Sequence, residues 1–179
     1  MSFVRTPLYL ALALLVGLWA NALHADIARF IGDYSGTAEV ETYDGTMAKR
    51  DMSVSISATD KGFSLRWNST TYRDGTAKTK SYRIAFVPSD RPDVYAAAMT
   101  KNVFGHQVPL DPMKGEPYVW ARITGDTLTV YSLYVTDTGG YELQQFDRTL
   151  SDGGLDLEFT RLTNGETGRT ISTFLKREN

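Results

Sequence analysis

Alternation with a period of two runs through most of this chain. Met52, Val54, Ile56 and Ala58 share one phase and Ser53, Ser55 and Ser57 the other; Leu155, Leu157 and Phe159 alternate with Asp156, Glu158 and Thr160 in the same way. Side chains on a β-strand point to opposite faces in turn, so each run predicts a strand with one apolar and one polar face. Thr124-Gly125-Asp126, Asp137-Thr138-Gly139-Gly140, Ser151-Asp152-Gly153-Gly154 and Asn164-Gly165 punctuate the stretch from Tyr118 to Lys176 into five consecutive strands. Such a meander buries one face only if it packs on a second sheet or curls until it closes, because a lone sheet leaves apolar surface and open edges in water.

The earlier half follows the same pattern. Asp26 is placed to cap a short helix carrying Ile27, Phe30 and Ile31, which Gly32 ends. A first strand spans Gly32 to Val40, with Gly36 permitting a tight bend. Asp44-Gly45, Thr59-Asp60-Lys61-Gly62 and Asp74-Gly75 separate it from the Met52–Ala58 strand, from a strand with Phe63, Leu65 and Trp67 on one face, and from a strand at Ser81–Val87 that stops at Pro88. Val94–Met99 has three alanines that would suit a helix, but its length and its place in the series favour a strand. The one long irregular segment, Phe104–Pro117, has the length of a lid or binding loop. The total is about ten strands joined by short turns. The predicted fold is all-β: a single up-and-down antiparallel β-barrel with a short N-terminal helix, a two-sheet sandwich being the competitor.

Composition narrows the class without changing that picture. A chain of 179 residues with 42% hydrophobic and 22% charged residues reads as one globular domain, and a net charge of −2 gives no footprint for nucleic acid. There is no cysteine, which removes disulfides, thiolate chemistry and cysteine-based metal sites, and there are only two histidines, His24 and His106.

The N-terminus has a different character. Arg5 precedes the apolar run Leu8–Trp19, and Ala20-Asn21-Ala22 follows it, the order of a Sec-type signal peptide. The apolar run falls short of the roughly 18–20 residues needed to cross a bilayer. Cleavage is expected after Ala22, with Ala25 as the alternative, leaving residues 23–179 as a soluble barrel in the periplasm or the medium with no stable membrane insertion.

Candidate chemistry is read from phase. Trp67 and Tyr82, with Tyr118, Trp120 and Arg122 in one phase of their strand and Tyr134 in one phase of the next, would line a cavity if those faces point inward; planar rings supply contact area, and hydroxyls or a guanidinium fix orientation. The competing reading is that these aromatics fill the interior or cover its outside. Arg161 continues the phase of Leu155, Leu157 and Phe159, where a charge needs a partner, an anionic ligand or a path to solvent. His106, Asp111 and Glu116 share the long loop, but no H-x-H or H-E-x-x-H spacing supports a metal there and no G-x-S-x-G elbow supports a serine nucleophile. No metal, cofactor or catalytic set is expected.

Gly32-Asp33-Tyr34-Ser35-Gly36-Thr37-Ala38, after a short helical segment, resembles the first strand of the calycin group of lipocalins, fatty-acid-binding proteins and nitrobindins, where the mark is G-x-W and, in nitrobindin-like domains, G-x-W-x-G-x-G. Tyr34 stands where that pattern has tryptophan and Ala38 where it has the last glycine. The resemblance implies a barrel open to a ligand cavity, and a basic residue near the last strand (Arg169, Lys176 or Arg177) closing over the first-strand aromatic. Nitrobindins hold haem through a histidine near the C-terminal strands, and this chain has none after His106. The expected function is binding of a small hydrophobic or amphipathic molecule through Trp67, Tyr82, Trp120, Arg122, Tyr134 and Arg161. Two alternatives stand beside it: a cell-envelope scaffold presenting the Val103–Pro117 loop to a partner protein, and a calycin-like lyase or isomerase using His106 or a pocket tyrosine.

Overall fold

The structure is a computed structural model that describes residues 27–42, 44–101, 107–108 and 110–179. The signal segment, His24 and His106 lie outside the described residues. The strands are β1 (Gly32–Glu41), β2 (Met47–Thr59), β3 (Gly62–Arg73), β4 (Thr76–Pro88), β5 (Val94–Ala97), β6 (Thr100–Lys101), β7 (Gln107–Val108), β8 (Tyr118–Thr124), β9 (Thr127–Val135), β10 (Tyr141–Ser151), β11 (Gly154–Thr163) and β12 (Glu166–Arg177). Ten of them close into one antiparallel barrel in the order β1-β12-β11-β10-β9-β8-β5-β4-β3-β2, and β6 pairs with β7 as a separate hairpin. The barrel strands therefore follow one another in chain order, with the β6–β7 hairpin set aside between β5 and β8, the up-and-down order that the turns predict. The expected helix is a single helical turn at residues 27–30, with the Phe30 amide donating to the Ile27 carbonyl at 3.0 Å.

Hairpin geometry follows from the turn residues. Asp74 and Gly75 have φ of 50° and 74°, and Asn164 and Gly165 have 51° and 88°, so both loops place two consecutive residues at positive φ, the arrangement that matches strand twist in a two-residue hairpin. Closure makes a different demand on Gly36. A Cβ at that position would lie 2.3 Å from the Phe174 carbonyl oxygen, so only glycine lets β1 approach β12 this closely. The β1–β12 seam pairs Tyr34 with Arg177 and Ser35 with Lys176, and the Thr173 hydroxyl continues it by donating to the Thr37 carbonyl at 2.8 Å.

One end of the barrel is filled. Phe63 stands opposite Phe86 and stacks on it with centroids 4.9 Å apart, while Tyr95 meets Phe63 edge-on at 5.1 Å. Ile56, Leu65, Leu128, Leu155 and Leu175 complete this layer, each no more than 1% exposed. Phe30, from the helical turn, is fully buried against it and plugs the end. A latch holds the plug: the Tyr34 hydroxyl donates to the Phe30 carbonyl at 2.9 Å, the Arg177 guanidinium donates to the Ile31 carbonyl, and the same guanidinium lies over the Tyr34 ring, 5.3 Å from its centroid. Of the three basic residues considered for that position, Arg177 occupies it.

The other end is open at the side among the described residues. β5 pairs with β4 only from Phe86 to Pro88 and with β8 only from Val94 to Ala96. Through residues 76–84, β4 has β3 as its only strand partner among the described residues. Lys78, Lys80 and Arg83 populate this edge, and charged side chains there oppose pairing with a foreign strand. Beyond β7, Asp111 caps a short 3₁₀ turn at Pro112–Lys114 by accepting from the Met113 amide, and Glu116 accepts from the Asp111 amide, both at 3.0 Å. Both loop carboxylates that follow His106 in sequence are thus used to hold the loop's own backbone.

Candidate ligand-binding cavity

Above the packed end, the inward positions enclose a cavity of about 670 Å³, inside the rough 300–1,000 Å³ range of small-molecule sites. Strand register layers its lining. Val54 stands opposite Trp67 and Trp67 opposite Tyr82; on the far wall Val130 stands opposite Phe146 and Phe146 opposite Phe159. Trp67 stacks on Tyr82 at 5.0 Å and reaches across the lumen to Phe146 at 5.9 Å, so aromatic rings from two separated strands form a waist. Toward the mouth the rows turn polar: Arg50 faces Thr71 and Thr71 faces Lys78, while Ser132 faces Gln144 and Gln144 faces Arg161.

Among the described residues the lining holds six cationic side chains, Arg50, Lys78, Lys80, Arg148, Arg161 and Arg169, and no aspartate or glutamate. A protein whose net charge is −2 therefore turns a strongly positive surface inward. Three of these cations converge at the mouth. Arg50 donates through Nε to the Thr71 hydroxyl at 2.9 Å, and its pKa is held below the usual arginine value by burial and by repulsion from Arg169 and Arg161. The β11–β12 register shifts between Thr160 and Leu162, where Gly168 and Arg169 together oppose Arg161; this irregularity brings Arg161 and Arg169 to the same rim. Glu142 lies beside the rim with Oε1 3.4 Å from Arg161 Nε, an ionic contact without hydrogen-bond alignment, and it accepts instead from Gln144 Nε2 at 2.5 Å.

Arg148 is the exception to the layering. It lies one inward step deeper than Phe146 on β10, opposite Leu128 and Leu157, with its guanidinium 5.5 Å from the Phe146 ring. It is 3% exposed, and its Nε and Nη1 have no hydrogen-bond acceptor among the described residues. Burial pushes its pKa down to about 10, only partly offset by the neighbouring Asp147, so it remains charged at neutral pH. A buried guanidinium with unused donors is costly unless something anionic or polar meets it.

The structure brings Trp67, Tyr82, Tyr134 and Arg161 to this cavity. Trp120 and Arg122 are elsewhere: Val119, Ala121 and Ile123 are the buried phase of β8, which turns Tyr118, Trp120 and Arg122 to the outside. There Trp120 stacks on Tyr131 at 4.8 Å and Arg122 is exposed. Arg50, Arg148 and Arg169 were not picked out as site residues by motif, yet phase carries the signal. Arg148 alternates in step with Gln144, Phe146 and Leu150, and Arg50 in step with Met52 and Val54, so each is a cation inside a run that points inward. No protein-family model matches the chain, and no curated protein matches it.

Proposed function

We propose that this protein is an exported, soluble barrel that binds a small amphipathic molecule carrying an acidic group. The observation that carries the reading is Arg148: a charged side chain within an otherwise apolar layer, with two donors unused and facing a cavity large enough for a ligand. Hydrogen bonds from a guanidinium to a carboxylate or phosphate are among the stronger ones available, and they gain strength away from water. Trp67, Phe146 and Phe159 offer apolar contact above it. The likeness of Gly32–Ala38 to the first strand of calycins, with Arg177 over Tyr34, supports the same reading, and the order Arg5, apolar run, Ala20-Asn21-Ala22 supports export.

Native mass spectrometry of the protein purified from its own host tests this directly. The expected result is a bound anionic amphiphile and an N-terminus at residue 23 or 26. Trp67 supplies the second readout: in a Trp120→Phe background, which removes the outer tryptophan, emission is expected to shift when an acidic amphiphile enters. An empty interior together with no emission change across a broad panel of such molecules would overturn the reading.

A further inference from the structure

The cavity has positive charge at two levels, and the wall between them is apolar. Arg148 faces Leu157 on β11, and Arg161 is four residues farther along that strand. At the rise of an extended strand this separates the two levels by about 13 Å along the wall. Phe146, Phe159 and Met52 line the interval, and the same cavity reaches both levels. At the outer level Arg50, Arg161 and Arg169 crowd together with one carboxylate, Glu142, beside them. At the inner level Arg148, beside Asp147, has Nε and Nη1 unsatisfied among the described residues. A ligand with a single acidic head satisfies one of these levels and leaves the other as it is.

From this we infer that the ligand is bipolar: an elongated molecule with an acidic group at each end and an apolar middle, one acid hydrogen-bonded to Arg148 and the other held among Arg50, Arg161 and Arg169. The inference rests on the binding function proposed above and adds a second anionic group at a defined spacing. Directional contacts fix the inner end, where the donors are buried. The outer end is held by clustered charge in partial contact with water, so it tolerates either a carboxylate or a phosphate.

The probes are dodecanoate, dodecanedioate and the short diacid octanedioate, titrated by calorimetry against the mature protein, against Arg148→Met and against the rim variant Arg161→Gln/Arg169→Gln. The rim positions are partly exposed, so that variant keeps the fold even if the buried change does not. Dodecanedioate is expected to bind the wild type about tenfold or more tighter than dodecanoate, because a second charge-assisted contact is made. Octanedioate is expected to lose that advantage because it is too short to engage both levels. Each variant is expected to bring dodecanedioate down to the affinity of dodecanoate. Binding of dodecanoate as tight as that of the long diacid would overturn the bipolar inference and leave the single-acid reading standing. An unaltered diacid preference in the rim variant would overturn it too. Failure of all three probes to bind would overturn the bipolar inference, while the single-acid reading falls only if the interior is empty and the broader panel also gives no response.

Discussion

At the closed end of the barrel the inward positions of β3, β4 and β10–β12 hold Phe63, Leu65, Phe86, Leu150, Leu155 and Leu175; farther along the same strands they hold Thr71, Lys78, Lys80, Gln144, Arg161 and Arg169. The backbone is the same at both ends, and so is the side-chain period. At the closed end the residues interdigitate, a ring stack and an edge contact within about 5 Å, under a plug latched by Tyr34 and Arg177. At the open end like charges face one another across space. Stability is concentrated where the interior is filled, and the end that holds a site carries charges whose burial opposes folding.

Truncating one ring at each level tests this contrast most strongly. Phe63→Ala removes a fully buried ring from a packed layer and is expected to lower the unfolding free energy by roughly 3–5 kcal/mol. Trp67 already borders open volume on one side, so Trp67→Ala is expected to cost about half as much despite the larger ring. Urea denaturation of both variants measures the difference. Equal costs would mean that the waist is packed as tightly as the closed end, and the contrast would fail.

Arg148 supplies the next effect, and its sign is opposite. A pKa lowered by burial to about 10 means that the charged form is disfavoured by folding, by up to roughly 3 kcal/mol. Arg148→Met is therefore expected to raise the stability of the ligand-free protein while removing the advantage of the long diacid over dodecanoate. The pH dependence follows from linkage. Above about pH 10 the unfolded chain retains a proton at this position that the folded protein releases, so wild-type stability rises with pH there relative to the variant. The variant's advantage is expected to be constant below about pH 10 and to shrink above it. Denaturant melts at neutral pH and again above about pH 10 check this; a destabilised methionine variant at neutral pH would show that the guanidinium is satisfied within the fold.

Much of the architecture was legible because alternation and turn chemistry are local properties. The five strands from Tyr118 to Lys176, the hairpins at Asp74-Gly75 and Asn164-Gly165, and the strand start at Val94 all follow from residues within a few positions of one another. The site was legible only in part, because period two fixes which residues share a face and leaves open which face is inner. On β8 small Ala121, with Val119 and Ile123, turns inward and Trp120 turns out, Ala121 lying between buried Tyr95 and Val130. Arg148 is one residue from Asp147 in sequence and resembles a surface charge pair until alternation is extended through Phe146 and Leu150. The convergence of Arg50, Arg161 and Arg169 depends on barrel closure and on the register shift beside Arg161, and neither can be read from spacing.

The smallest expected effect concerns Glu142, the only carboxylate paired with the rim among the described residues. Glu142 and Arg161 are both partly solvated, with side-chain exposures of 26% and 37%, so their ion pair contributes at most about 1 kcal/mol and is weakened by salt. Glu142→Gln keeps an acceptor for Gln144 and removes the charge, which leaves Arg161 free to face an incoming anion. If the rim acts through net positive charge, the variant is expected to bind acidic amphiphiles about twofold tighter at low ionic strength, with the gain vanishing in high salt and the melting temperature nearly unchanged. Calorimetric titrations at two salt concentrations decide it. Weaker binding in the variant would mean that Glu142 orients Arg161 for its ligand. The open end would then be an organised site held in geometry by its own contacts, as the closed end is by packing, and the contrast between the ends would narrow to the chemistry each uses.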